Sequence, residues 1–412
     1  MVHLKLTVLA ITKEDTSILT ENGNFNIETM KDLETYSGKA AGVCYMKDHY
    51  FNTNVDNEDK AKSRFYRVAA TGHHSIADHS FISVLFEGIP KMTAMILNSV
   101  GFYNTSEKSG RYTIMNSEEQ CGTDSEKLYY KWLHKFKKLI SEHDKTLAEK
   151  DPKLVEKLAM ENARYVLSVF APNTTMMYTT SLRMWSYLVC WCKDYINSAK
   201  EVTEFDTLVK KCVHDLYVTL LGVQCYSETI VDNKNRNFNF LSKQVDFPIW
   251  DTQEMYLDSY LIKYNVSFAC LAQEQRHRTL RYYMNFDGSQ KLEFYIPKIL
   301  TKEEDKKEWL QDLNSIKETF PIATKVSVIE TGLISDFMLK CDERLCGRVL
   351  LETMENVKTN LLKFARDWNK TPFTIHELNK HIKDGKIITK CGNISCKEPC
   401  YWGAKNALTR LV

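Results

Sequence analysis

The chain has 412 residues, and its 55 lysines and arginines against 53 aspartates and glutamates leave a formal net charge of +2. No global field therefore points to nucleic acid or to an anionic membrane, and any anion chemistry is local. A 43% hydrophobic content fills the cores of two domain-sized units or one large α/β body, so disorder is not the default. In chain order, "MVHLKLTVLAITKED" alternates apolar with polar residues, which predicts a first strand and not a secretory leader. "EDKAKSRFYRVAATGHH" predicts a helix ended by Gly72, and "HSFISVLFEGI" predicts a strand. Residues 153–170, with apolar side chains at three- and four-residue spacing, predict an amphipathic helix stopping before Pro172. No stretch approaches the roughly 18 to 20 apolar residues of a membrane span; "SYLVCWCKDYI" meets charge after seven residues. Helices are also predicted over 302–319 and 343–366. The twelve cysteines are scattered except for Cys391, Cys396 and Cys400, which reads as reduced thiols in a soluble, cytoplasmic protein.

An internal repeat organises the chain. "GKAAGVCYMKD" around Cys44 and "YVTLLGVQCYSET" around Cys225 each end an apolar helical run in Gly-Val and follow it with Cys-Tyr. About fifty residues after each comes a comparable segment, "FEGIPKMTAMILNSVGFYNTSEKSGRYT" and "IKYNVSFACLAQEQRHRTLRYYMNF". The chain reads as two diverged copies of one α+β fold, over 1–200 and 201–412, with the charged stretch "CKDYINSAKEVTEFD" as the seam.

Three clusters carry chemistry. "GHHSIADHSF" crowds His73, His74, Ser75, Asp78 and His79 together; polar residues closing a loop explain it better than zinc, because no His-x3-His helical pair is present. "SEKSGRY" combines hydroxyls, the flexible Gly110, a carboxylate and Arg111, which suits a phosphorylated ligand: glycine lets backbone amides approach and arginine grips an oxyanion. "QEQRHRTLRYYMNF" sets Arg276, His277 and Arg278 after Gln273. The planar fork of arginine binds phosphate oxygens bidentately, and a glutamine amide matches a pyrimidine edge or a ribose. The three C-terminal cysteines, at spacings of five and four, are incomplete as a metal site, so no metal is expected.

Taken in order, these segments resemble the flavin-dependent thymidylate synthases. That family's signature reads Arg-His-Arg, five residues, Glu, one residue, Ser, one residue, Arg-Tyr. Its end stands at Glu107, Ser109, Arg111 and Tyr112, where the first copy has Ser99, Val100 and Gly101 in place of the basic triplet. The second copy keeps Gln273 and the triplet and carries Met284, Phe286 and Gly288 at the later positions. Each copy has lost the half that the other keeps. "ENARYVLSVFAPNTTMMYTTSLRMWSYL" is similar to the family's C-terminal helix and strand, with Arg164 where a nucleotide-phosphate arginine is expected. In the second copy Lys340 or Arg344, depending on a one-residue gap, falls near another substrate arginine, a position that Trp191 occupies in the first. The cysteine-bearing tail is similar to that of longer family members.

The resemblance implies two tandem synthase-like domains, each a mixed sheet with long helices, forming a pseudo-dimer that pairs with a second chain to recreate a four-unit assembly. It implies FAD as cofactor, NADPH as reductant and methylenetetrahydrofolate as donor of a one-carbon unit to C5 of a deoxypyrimidine monophosphate, dUMP or dCMP. Catalytic roles fall to His73, Glu107, Ser109 and Arg111. Substrate binding falls to Gln273, Arg276, Ser109, Gly110, Arg111, Tyr112, Arg164 and Lys340 or Arg344, and flavin binding to His73, Ser75, Asp78, Arg276, His277 and Arg278. A non-catalytic flavin- or nucleotide-binding relative stands as the alternative.

Overall fold

The computed structural model describes residues 4–11, 30–45, 58–99, 101–110, 118, 121–223, 225–231, 238, 240–241, 254–256, 259–367, 372–392, 396, 400–403 and 407–412. Arg111 and Tyr112 lie outside the described residues. The chain begins with β1 (Lys5–Ile11), α1 (Met30–Gly42), α2 (Glu58–Ala70), β2 (Phe81–Ile89), α3 (Lys91–Leu97) and β3 (Tyr103–Glu107). A helical stretch follows, α4 (Asp124–His143), α5 (Lys145–Lys150) and α6 (Pro152–Ala163), and then β4 (Thr174–Ser181), α7 (Leu182–Ser198) and α8 (Glu204–Val223). Next come β5 (Glu254–Tyr256), β6 (Ser259–Ser267), α9 (Phe268–Glu274), β7 (Arg281–Asn285), α10 (Glu303–Ser315), β8 (Lys325–Leu333) and α11 (Ile334–Arg344). The described elements end with α12 (Leu351–Asp367), α13 (Pro372–Asn379) and a short ladder of β9 (Ile382–Lys383) with β10 (Lys386–Ile387).

Two four-stranded antiparallel sheets result, and their strand orders match: β1-β2-β4-β3 and β5-β6-β8-β7. In each, the second strand runs into a seven-residue helix, α3 or α9, and a turn leads from that helix into the edge strand β3 or β7. The strand predicted at "HSFISVLFEGI" is β2, and the Gly-Val pairs end α1 and α8.

Packing gathers the chain into two compact units, Met1–Lys108 with Pro172–Asn239 and Ser109–Ala171 with Phe240–Val412. Neither is a continuous half, so the segments 109–171 and 201–239 pack outside the halves in which they fall by sequence. In the first unit β2 buries Ile82, Val84 and Phe86 and β4 buries Met176 and Tyr178; alternation sends these to one face, where Phe86 stacks on Trp185 of α7. In the second unit Trp132 and Phe136 of α4 enclose Trp309 of α10, and the two tryptophans meet edge to face at 4.7 Å. That burial of large aromatic surface holds the α4–α6 stretch there.

The helix predicted over 153–170 is shorter than expected. It ends at Ala163, and after one tight turn the backbone extends, with Ile322 N donating to Leu167 O at 2.7 Å and Val169 N to Phe320 O at 3.0 Å. The apolar spacing of 166–170 serves this strand-like pairing, in which β-branched Val166 and Val169 are well placed. The helix predicted over 343–366 is likewise two helices, because residues 345–350 turn between α11 and α12, where Gly347 lies against Trp402.

Candidate active site

In the first unit Gly72, at φ 85°, ends α2 in the left-handed conformation that glycine adopts without strain, and it releases the polar loop. His73 is exposed just outside a short 3-10 turn over His74–Asp78, in which Ser75 is also exposed. Asp78 is engaged: Arg183 donates Nε to Oδ1 at 3.1 Å and Nη2 to Oδ2 at 2.5 Å, and Ser181 Oγ donates to Oδ1 at 2.7 Å. This fork-to-carboxylate pairing fixes Arg183 at the start of α7. Sequence reading missed Arg183; the signal was an aspartate in a polar loop in need of a cation. His74 is also held, with Nδ1 2.7 Å from Tyr187 Oη. At the end of β3, Glu107 accepts from Lys91 Nζ at 2.7 Å, a pair mostly screened from solvent.

The other sequence-predicted residues fall in the second unit, where Ser109 and Gly110 are half-buried. Arg164 caps α6 and lies beside Tyr129 and Tyr165; its Nε is buried and has no hydrogen-bond partner among the described residues. The basic triplet sits where α9 turns toward β7. Ser267 Oγ caps α9 by accepting from Cys270 N, and that hydroxyl donates to Glu352 Oε2 at 2.5 Å. At the other end, His277 N donates to Glu274 O at 2.9 Å and Leu280 N to His277 O at 3.1 Å, so the backbone folds the triplet into a tight turn. Arg344, the last residue of α11, reaches across and donates Nη2 to Gln273 O at 3.2 Å.

This turn gathers Gln273, Arg276, His277 and Arg344, while Arg278, next in the chain, is exposed. Three buried polar atoms within it, Gln273 Oε1, His277 Nε2 and Arg344 Nε, have no hydrogen-bond partner among the described residues. Each such atom costs about 1–3 kcal/mol, and native structures retain few of them. Burial, then Arg344 and Lys340, push the His277 imidazole down to about 3, so the ring is neutral at physiological pH. Burial also lowers Arg344, with Arg276 adding to the effect.

Lys340 lies close enough to act on His277, but its direct partners are different. Its side chain is fully buried, with Nζ 2.6 Å from Glu330 Oε2 and 3.4 Å from Glu274 Oε1, and both carboxylates are fully buried as well. Tyr260 Oη donates to Glu330 Oε1 at 2.6 Å, Tyr264 Oη contacts both carboxylates, and Asn356 Nδ2 donates to Glu274 at 2.8 Å. Burial opposes the Lys340 charge, but Glu274 and Glu330 outweigh it and hold the ammonium above its ordinary value. Of the two residues the alignment left open, Arg344 is the one beside Gln273. Lys340 instead neutralises a buried carboxylate pair.

A cleft of about 520 Å³ opens elsewhere on the second unit, bordered by Lys263, Asn265, Asn285, Ser289, Ser327 and Lys363. Phe286, at one of the later signature positions of the second copy, also lines it, but none of the candidate catalytic or binding residues does. Among the described residues, no group of three or more His, Cys, Asp or Glu side chains already stands in position to hold a metal ion, and no helix is long and apolar enough to cross a membrane.

No curated protein matches the chain. Solved structures similar to it include a UMP/dUMP methylase, PolB, from Streptomyces cacaoi bound with 5-Br dUMP, at 10% identity over 53% of this chain and 90% of that one, with a TM-score of 0.32. They also include thymidylate synthase X from Helicobacter pylori with FAD and dUMP, at 16% identity over 55% of this chain and 99% of that one, with a TM-score of 0.31. A second structure of the Helicobacter pylori enzyme with the same ligands matches at 14% identity over 48% and 94%, with a TM-score of 0.30. The sequence model of the thymidylate synthase complementing protein family matches residues 27–192, a span that holds the "GHHSIADHSF" loop, "SEKSGRY" and Arg164. Over that span the chain is similar to the thymidylate synthase complementing protein family, the flavin-dependent synthases that its motifs resemble.

Proposed function

We propose that the chain is a flavin-dependent enzyme that transfers a one-carbon unit from methylenetetrahydrofolate to C5 of a deoxypyrimidine monophosphate, either dUMP or dCMP. The observation that carries the reading is the turn after α9, where Arg276, His277 and Arg344 meet Gln273, with the exposed Arg278 next in the chain, and three buried polar atoms lack a partner among the described residues. An anionic, hydrogen-bonding ligand answers that demand: guanidinium groups take phosphate oxygens, and the Gln273 amide takes a base edge or a ribose hydroxyl. The neutral His277 ring binds there without adding charge. FAD, bound by the same turn and by His73 and Ser75, would supply the redox chemistry with NADPH as reductant. The chain's own part is to orient and neutralise, with Ser109, Gly110, Arg111 and Tyr112 on the nucleotide and Arg164 as a further phosphate contact.

The matching strand order of the two sheets supports an origin by duplication. So does the equivalent place of Ser99, two residues after α3, and Arg276, two residues after α9. The complementary loss of motif halves supports a pseudo-dimer that itself pairs with a second chain. Each half of the signature then serves a pocket to which the other contributes.

Incubating the purified chain with dUMP or dCMP, FAD, NADPH and methylenetetrahydrofolate, followed by mass analysis of the nucleotide, tests the activity. A methylated or hydroxymethylated product is expected, and unchanged nucleotide with no retained flavin would sink the reading. The pairing of Glu107 with Lys91 and of Asp78 with Arg183 favours a second reading, in which these groups serve structure and the chain binds flavin or nucleotide without turnover. Flavin retained with no product would select it. Arg276→Ala and Arg111→Ala should each abolish activity alone, and recovery on mixing would place the pocket between chains.

A further inference from the structure

The C-terminal tail supplies the observation. Cys391, Cys396 and Cys400 are half-buried there, and none of the chain's twelve cysteines is in a disulfide. The tail is fastened onto the turn between α11 and α12 at three points. Lys390 N donates to Leu345 O at 2.8 Å. Trp402 covers Gly347 so closely that a Cβ there would come within 2.8 Å of its ring. Arg410 Nη2 donates to Val349 O at 2.5 Å. The docking brings a fourth thiol, the buried Cys346, beside the three of the tail.

The sulfur geometry points the same way. Cys391 Sγ and Cys400 Sγ are 3.5 Å apart, far beyond the roughly 2.05 Å of a disulfide bond. Two thiolates at about 2.3 Å from a tetrahedral zinc stand about 3.8 Å from each other. Arg348 N points at Cys346 Sγ from 3.5 Å, an amide aimed at a sulfur from two residues further on. Cys346-Gly347 and Cys391-Gly392 both pair a cysteine with glycine, which lets the backbone turn tightly around a sulfur. Cys346, Cys396 and Cys400 all lie within electrostatic reach of Cys391. Lys390 is the local cation, within electrostatic reach of Cys346 and Cys396 and 3.2 Å from both oxygens of Glu343.

We propose that Cys346, Cys391, Cys396 and Cys400 form a four-thiolate structural zinc site that locks the tail onto the α11–α12 turn. Four soft sulfurs and no open position suit zinc in a structural role. The sulfurs do not yet surround a common centre; ion binding draws them together. Each thiol gives up its proton as its zinc bond forms, so uptake releases protons and strengthens with rising pH. The site lies two residues beyond Arg344, so zinc would also fix the helix end that presents that arginine.

The test uses the full chain, purified under reducing conditions, equilibrated with zinc sulfate and passed through a desalting column. About one zinc per chain is expected, and four thiols should become unreactive toward a thiol reagent while it is bound. Cys346→Ser and Cys391→Ser should each lose the metal, and Cys44→Ser, at an exposed position in the first unit, should keep it. In case the variants misfold, competition for zinc between the metal-free wild type and a chromophoric chelator, with protons counted on uptake, tests the same site. Zinc retained by Cys346→Ser, no zinc on the reduced wild type, or a Cys391–Cys400 disulfide forming without any metal uptake by the reduced chain would each overturn the proposal.

Discussion

Replacing Lys340 with methionine isolates the energetics beneath the basic turn. The ammonium and both carboxylates have 0% of their side-chain surface exposed, with N–O separations of 2.6 and 3.4 Å. Methionine fills a similar volume but leaves Glu274 and Glu330 buried without their cation. Removing one partner from a buried pair costs about 3–5 kcal/mol, which at about 2–4 °C per kcal/mol lowers Tm by about 6–20 °C. The loss has a pH signature. Burial already raises the Glu274 carboxyl while Lys340 pulls it down, so without Lys340 its folded-state pKa rises further above the unfolded value. A group raised in this way stabilises the fold at low pH and loses that contribution as the pH climbs. The deficit of Lys340→Met in urea unfolding should therefore be larger at pH 8 than at pH 5.5, and Glu274→Gln in the same chain should recover part of it. A loss below about 1 kcal/mol, or one independent of pH, would refute the reasoning.

His277→Asn should flatten the acid limb of the stability curve. The folded ring titrates near 3 against an ordinary 6.5, so above pH 6.5 neither state carries the proton. As the pH falls toward 3 the unfolded chain gains it first, and stability is lost by up to about 1.4 kcal/mol per pH unit. Between pH 7 and pH 5 the wild type should lose about 2 kcal/mol more than the variant in urea unfolding; equal losses would count against a buried neutral ring. Arg344→Met should weaken deoxynucleotide monophosphate binding in calorimetry by about tenfold or more, with the melting temperature little changed; unaltered affinity would remove Arg344 from the site. Trp309→Ala should cost about 3–5 kcal/mol, because it empties the centre of the packing with Trp132 and Phe136. A cost under about 1 kcal/mol would show that the α4–α10 contact is not what holds that unit.

The sequence by itself determined the local elements whose pattern follows one rule at a time. Alternation set β2, Gly72 ended α2, and the complementary halves of one signature pointed to an anion-binding turn in a chain without excess charge. It also identified the flavin-dependent synthase family, which residues 27–192 bear out. Only the tertiary structure decided matters that depend on residues far apart in the chain. The apolar residues after Ala163 are shared with a strand partner near residue 321 instead of a helix face. Which of Lys340 and Arg344 lies beside Gln273 turned on burial, because a lysine with two buried carboxylates on hand neutralises them, while an arginine at a helix end can reach Gln273. The fourth cysteine beside the tail was invisible for the same reason: Cys346 is 45 residues from Cys391, and only a folded backbone brings such partners together.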